Sequence, residues 1–325
     1  VLTVANPFTK MINSINQHKK VKELVNDDLY LSEKELKKYK IKKTVMSILI
    51  YTFLTLVALY ILLPFYWMFA TALKSPEELI GEITFFPKKL RFENFKTAFT
   101  FSKIYIESLD KEFPGFLVFY GNTVLVAILT TIGTMVTTTL AAFAFARLNF
   151  FGRDTIFALL LATMMVPGEI FIITNYETIS NLGLIDTYAA LVLPFVPSVF
   201  YTFFLRQTFM QIPNELYLAA KVDGTCDFKY LIKVMIPMAK ATLTTIFILS
   251  MMGTWNAYVW PNLVAGGEQM RLVSNGLMRS FSGLGPNNEH IQMAASALVS
   301  LPLLIAFIFL KKYIMRGVSR SGIKG

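Results

Sequence analysis

Residues 215–237 read ELYLAAKVDGTCDFKYLIKVMIP. They lie between two uncharged apolar runs, 188–205 and 241–259, yet carry Glu215, Lys221, Asp223, Asp227, Lys229 and Lys233. A charge at the centre of a membrane helix costs about 2.5–3.5 kcal/mol, so six would cost on the order of 15 kcal/mol. The segment therefore stays in water while its neighbours enter lipid. Its grammar predicts two short helices with a break. Pro213 suits a first turn, where no N–H is needed, and Glu215 complements the positive end of the helix dipole. Gly224 can take the left-handed conformation that ends the first helix, and Thr225 or Asp227 can cap the second. The second helix repeats Phe228, Leu231, Ile232 and Met235 at helical spacing. Ala219 and Ala220 leave a patch almost without side chains, over which another surface can come close.

The flanking runs belong to a set of six. Segments 45–70, 117–140, 156–175, 188–205, 241–259 and 293–310 each suffice to cross a hydrocarbon layer of roughly 30 Å. They make the chain 54% hydrophobic and only 16% charged, where a soluble domain has about 25% charged residues. The expected fold class is an all-α integral membrane protein with six spans. The first apolar run is too long and too late for a cleaved signal peptide.

Lysine and arginine mark the cytoplasmic side. With the N-terminus inside, 22 of the 31 basic residues fall on inner segments, and the formal +10 charge is topological. Nucleic acid is thereby set aside as a partner, and anionic membrane lipid is expected beside the lysines. The predicted organisation is a basic cytoplasmic arm at 1–44, a transmembrane domain at 45–312 and a cytoplasmic tail at 313–325. Outer loops are expected at 74–115 and 261–291, with an inner loop at 212–237.

Catalysis has little to work with. One cysteine, Cys226, and two histidines, His18 and His290, are too few for a His/Cys metal site. Neither an HExxH pattern nor paired aspartates occur in a span, and there is no phosphate-binding P-loop. The chain is expected to be no enzyme and to hold no cofactor. A secondary transporter or channel would place ionisable groups mid-span; none stands near a span centre here. Span prolines (Pro64, Pro167, Pro194, Pro197 and Pro302) suit a moving pathway or a static bundle of bent helices. The second span is rich in threonine around Thr134, which serves helix packing or the wall of a polar path. Trp255, Asn256, Tyr258 and Trp260 fit either interface anchoring or sugar contact, and Asn256 is the one expected to face a cavity.

These residues carry a family resemblance. The stretch IPNELYLAAKVDGTCDFKYLIKVMIP resembles the Glu-Ala-Ala loop of bacterial ABC importer permeases, with Ala219, Ala220, Asp223, Gly224 and Pro237 on the pattern. Leu218 stands where the family has Glu, and Thr225 where it has Ala. LKSPEEL at 73–79, FARLNFFGR at 145–153, TWNAYVWPNLV at 254–264 and the tail GVSRSGIKG at 317–325 resemble the carbohydrate branch, in particular the maltose-type second permease. The resemblance covers most of residues 60–325. It implies the type I importer fold with a cytoplasmic coupling helix, in a bacterial cell membrane with both termini inside. It implies a carbohydrate, expected to be an oligosaccharide, as cargo, other solutes being the alternative. It implies a second permease, two ATPase subunits that hold ATP and Mg, and an extracellular solute-binding protein. The ATPase contacts would be Glu215, Leu218, Ala219, Ala220, Asp223 and Gly224, joined by Gly322, Lys324 and Gly325 of the tail. Glu215 is placed to substitute for the missing Glu. Gly266, Gly267, Gly283 and Gly285 would give flexible turns to a loop that reaches the binding protein. Asn256, Trp255 and Thr134 are the substrate-path candidates.

Overall fold

A computed structural model of the chain describes residues 33–80, 83–281 and 288–322. They fall into two units, one ending at Tyr66 and one beginning at Trp67. Helix α1, Glu33–Ala72, crosses that boundary. Up to Tyr66 it exposes side chains such as Ile48, Leu49, Phe53 and Leu56. An apolar helix surface of this kind is solvated by lipid and not by water. The helix passes through 44/45 without a break, so the polar arm expected to end there continues into the first span.

Among the described residues of the unit from Trp67, the regular elements are helices and one hairpin. The outer loop holds α2, Pro76–Ile80, and α3, Glu93–Thr100. Strands β1, Lys103–Ile106, and β2, Lys111–Pro114, pair antiparallel, with Ile104 opposite Phe113. This short hairpin is a local addition to a helical fold. KIYI and KEFP place β-branched and aromatic residues around a turn at Asp110, whose backbone is left-handed. Asn94 of α3 donates to the Ala72 and Lys74 carbonyls and so satisfies acceptors left open at the end of α1.

Helix α4, Gly115–Arg147, is the central element. It packs against α11, Lys240–Trp255, and α8, Val199–Met210. Two apolar clusters lie along it. One gathers Phe143, Leu205, Phe209, Tyr230, Met235 and Ile246. The other gathers Val126, Ile179, Leu191, Trp260, Val264 and Leu272. Close approach is built in at Gly133, where an added Cβ would meet the Val196 side chain at 2.9 Å.

Among the described residues three helices are long and apolar enough to cross a membrane, within α1, α4 and α14, Glu289–Gly322; three bent pairs raise the number to six. The pairs are α5, Arg153–Thr163, with α6, Gly168–Asn181, at 80°; α7, Tyr188–Phe195, with α8 at 45°; and α10, Asp227–Met238, with α11 at 82°. The third span expected at 156–175 is thus a bent pair, since at about 1.5 Å per residue neither arm alone crosses the bilayer. The helix stops at Thr163, Pro167 takes an extended backbone, and Ile179 then anchors α6 in the cluster around Trp260. The fourth span, expected at 188–205, breaks at Pro197. The fifth ends at Trp255, and α12, Val259–Val264, follows as a separate helix. Helix α14 continues to Gly322, so the expected tail from 313 begins as a helical extension of the last span.

Candidate functional site

The charged insert folds as a knuckle of two helices. Helix α9, Asn214–Val222, begins after Pro213, which takes the N-cap position outside the first turn. Its end is a Schellman motif. The Thr225 amide donates to the Ala220 carbonyl at 2.8 Å and the Gly224 amide to the Lys221 carbonyl at 3.0 Å. Gly224 has φ +70°, the left-handed backbone its residue type makes accessible. Cys226, extended, occupies the N-cap of α10 without a side-chain cap, in place of the Thr225 or Asp227 expected there, and Asp227 sits in the first turn.

Asp227 ties the two helices together. It accepts from the Tyr217 hydroxyl at 2.8 Å and pairs with Lys221 at 2.7 Å. The Lys221 hydrogen bond, then that of Tyr217, holds the Asp227 carboxyl below the usual carboxylate range. Burial, then the bond to Asp227, raises the Tyr217 phenol. The bond to Asp227 raises the Lys221 ammonium. Underneath, the Tyr217 and Tyr230 rings meet at 5.2 Å, and Tyr230 is buried in the core. The outward face is open: Glu215, Ala219, Asp223 and Gly224 are exposed and Ala220 is half-buried. Leu218 is 56% exposed, Val222 88% and Phe228 62%.

The knuckle is bolted to the bundle by residues the sequence reading did not single out. Arg147, the last residue of α4, donates to the Phe209 carbonyl at 2.8 Å, to the Ile212 carbonyl and to Asn214 at 3.4 Å. Arg206 of α8 donates to the Phe145 carbonyl at 3.1 Å, pairs with Asp154 at 3.6 Å and lies over the Phe157 ring. The only signal for this was the arginine-bearing FARLNFFGR segment.

At the opposite end a second network fixes the loop before α13, Val273–Phe281. Asn122 donates to the Gln269 carbonyl at 2.7 Å and the Arg271 carbonyl at 3.0 Å, and accepts from Tyr188 at 2.7 Å. The Gly267 amide donates to the Asp186 carboxylate at 3.0 Å.

Between the two ends, α4, α7, α8 and α11 enclose a cavity of about 300 Å³, lined among others by Thr130, Thr134, Ser198, Tyr201, Thr254 and Trp260. Phe195, Pro197 and Ser198, where α7 and α8 part, line one side of it. Thr134 and Thr137 donate to the Phe195 and Val196 carbonyls there, at 3.1 and 2.9 Å. That satisfies acceptors exposed by the proline break. The threonine-rich face therefore packs helices and also lines a cavity.

The model of the binding-protein-dependent transport system inner membrane component family matches residues 31–320. The chain belongs to this family. Among its relatives, the arabinooligosaccharides transport system permease protein of Bacillus subtilis is 29% identical, the match covering 87% of this chain and 97% of that protein. The sn-glycerol-3-phosphate transport system permease protein of Yersinia pestis bv. Antiqua is 28% identical, covering 85% and 97%. A solved bacterial ABC transporter involved in import of the acidic polysaccharide alginate shares the fold, with a TM-score of 0.73 and 21% identity over 88% of this chain and 99% of that one. The fold is that of a type I ABC importer permease, and the permease is a multi-pass membrane component, not an enzyme.

The permease places the remaining predicted residues unevenly. Thr134 lines the cavity, but Asn256 does not. It is the exposed C-cap of α11, because the helix ends one residue earlier and turns it outward. Trp255 is buried in another cluster, with Phe119 and Val273. Trp260 is a core residue and no interface anchor: its indole N–H donates to the Ala190 carbonyl at 2.9 Å. Neither Gly266 nor Gly267 takes the left-handed backbone. Gly267 lies close to Asp186: an added Cβ would stand 2.3 Å from its carboxylate, which would have to shift. Gly283 and Gly285 lie outside the described residues, as do Lys324 and Gly325, while Gly322 is the last residue of α14. Among the described residues no three His, Cys, Asp or Glu side chains gather as a metal site.

Proposed function

We propose that this permease is one of two transmembrane subunits in an ATP-driven importer of carbohydrate, with an oligosaccharide as the expected cargo. A second permease completes the pathway, two ATPase subunits bind ATP and Mg in the cytoplasm, and a solute-binding protein delivers cargo at the outer face. The N- and C-termini are cytoplasmic. The arabinooligosaccharide and alginate systems among the relatives support the cargo class.

The observation that carries this reading is the exposed apolar face of the knuckle. Six charges keep the segment in water, yet Leu218, Val222 and Phe228 stand open on it. Such a patch calls for a covering surface. The ATPase subunit supplies it, with Glu215, Leu218, Ala219, Ala220, Asp223 and Gly224 as contacts and Gly322, Lys324 and Gly325 of the C-terminal segment beside them. With Leu218 in place of the family Glu, the contact is made by shape and apolar burial more than by charge. Closure of the ATPase pair moves a rigid knuckle, because Asp227 locks α9 to α10 and Arg147 of α4 holds the end of α8 and the start of α9. The displacement reaches α11 through the 82° corner and alternates access to the pathway. At the outer face, the pinned loop 265–272 presents Gly266 and Gly267 to the binding protein, with Gly283 and Gly285 further along.

Reconstitution of all components in proteoliposomes tests this. Uptake is expected only with internal ATP and the liganded binding protein. Uptake driven by an ion gradient alone would overturn the proposal.

A further inference from the structure

The stretch ITFFPKKLRF, residues 83–92, carries five large apolar side chains, three cations and no acid. Ile83, Phe85, Phe86, Leu90 and Phe92 are 60–81% exposed, and Lys88, Lys89 and Arg91 are exposed among them. The segment is nevertheless folded back and held. The Arg91 amide donates to the Leu73 carbonyl at 3.0 Å, and the Asn94 side chain to the Ala72 and Lys74 carbonyls at 2.8 and 2.9 Å. Lys74, 2% exposed, donates to the Thr84 carbonyl and lies 4.6 Å over the Trp67 ring. Trp67 in turn meets the Phe85 ring edge-to-face at 6.2 Å.

These anchors fix the depth of the patch. α1 ends at Ala72, two residues beyond the apolar run 45–70, so its attachments at 67–74 lie where the chain leaves hydrocarbon. Large apolar side chains held open on a fixed frame need a permanent cover. A soluble protein that docks and departs supplies one only part of the time. The boundary of a lipid leaflet supplies one always: apolar side chains enter it, while lysine and arginine reach the headgroups. The charges fit as well. Among the described residues no salt bridge engages Lys88, Lys89 or Arg91. Glu78 of α2 is taken up by the Lys88 backbone amide at 2.9 Å and the Ser75 hydroxyl at 3.5 Å.

We propose that residues 83–92 are a lipid-docking platform at the outer end of the first span. Its apolar side chains are set in the outer leaflet, and Lys88, Lys89 and Arg91 hold the phosphates of anionic glycerophospholipids. The proposal rests on the reading that places the N-terminus inside, which makes this the outer face.

The test uses the complete importer in nanodiscs, with a bimane fluorophore on Leu90→Cys in a Cys226→Ser chain. Quenchers are nitroxide-bearing phosphatidylglycerol, nitroxide-bearing phosphatidylcholine and aqueous iodide. Both lipids should quench and iodide should not. The mole fraction for half-quenching should be about fivefold lower for phosphatidylglycerol, the preference one basic residue gains near an anionic surface. Lys88→Gln, Lys89→Gln and Arg91→Gln together should abolish that preference and leave quenching by phosphatidylcholine. Quenching by iodide alone overturns the proposal, as does equal quenching by the two lipids in the unsubstituted platform. Shielding from all three quenchers, with or without the binding protein, overturns it in favour of a protein neighbour. Orientation is read separately. Glu107→Cys, in the hairpin turn and in the same Cys226→Ser chain, should react with an impermeant maleimide on intact cells. Labelling only in inside-out vesicles overturns the orientation and the outer-leaflet assignment, while the quenching pattern still decides whether lipid covers the platform.

Discussion

Gly224 and Asp227 show how much of the knuckle hangs on single residues. Gly224 has free space around it, so the cost of Gly224→Val is conformational: a β-branched residue in left-handed backbone loses about 1–2 kcal/mol. The Schellman turn is expected to open. Uptake should then fall to background, and the ATPase should co-purify poorly while the membrane bundle keeps its thermal midpoint. A mutant that assembles and transports normally would remove the docking assignment. Asp227 yields a pH statement. Its lowered carboxyl pKa contributes stability that is present above the unfolded value, about 3.9, and lost as pH falls through the lower folded one. Tyr217 and Lys221, both raised, contribute below their unfolded values, about 10, and lose that contribution as pH rises through the folded ones. The lock is therefore constant from about pH 5 to 9. ATPase stimulation measured against pH should show no inflection from it, and Asp227→Asn should weaken coupling equally across that range.

At the scale of elements, close packing decides where helices meet. Gly276 of α13 faces the Phe119 ring of α4, and an added Cβ would come within 2.6 Å of it. Gly276→Ala is expected to cost about 1–3 kcal/mol by overpacking, seen as a lowered midpoint in detergent thermal unfolding, with knuckle function intact. The bends belong to this scale too. Proline positions were visible in the sequence, but not their outcome: Pro64 and Pro302 sit inside continuous helices, whereas a helix break falls at Pro167 and at Pro197. The difference lies in the partners. Thr134 and Thr137 satisfy the carbonyls at the Pro197 break, and Ile179 holds the arm beyond Pro167. No local rule contains those contacts.

For the whole molecule, orientation is the testable quantity. Cys226 is the chain's single cysteine and is exposed on the knuckle. A membrane-impermeant maleimide should label it in inside-out vesicles and not in intact cells. Addition of the ATPase subunits should protect it. Labelling from outside the cell would reverse the topology and with it the coupling role.

What the sequence determined by itself is whatever follows from one residue's own transfer energy or backbone. Long apolar runs must enter lipid, six charges at 215–233 must stay out, and Gly224 alone can turn the chain left-handed between two helices. Tertiary structure decided everything that depends on residues far apart meeting. It turned Asn256 outward and Trp260 into the core, made Gly267 a matter of closeness to Asp186, and recruited Arg147 to bolt the knuckle to α4 and α8. Transfer energies and backbone preferences are local and add along the chain; packing and hydrogen-bond satisfaction are properties of pairs, and only the folded bundle creates the pairs.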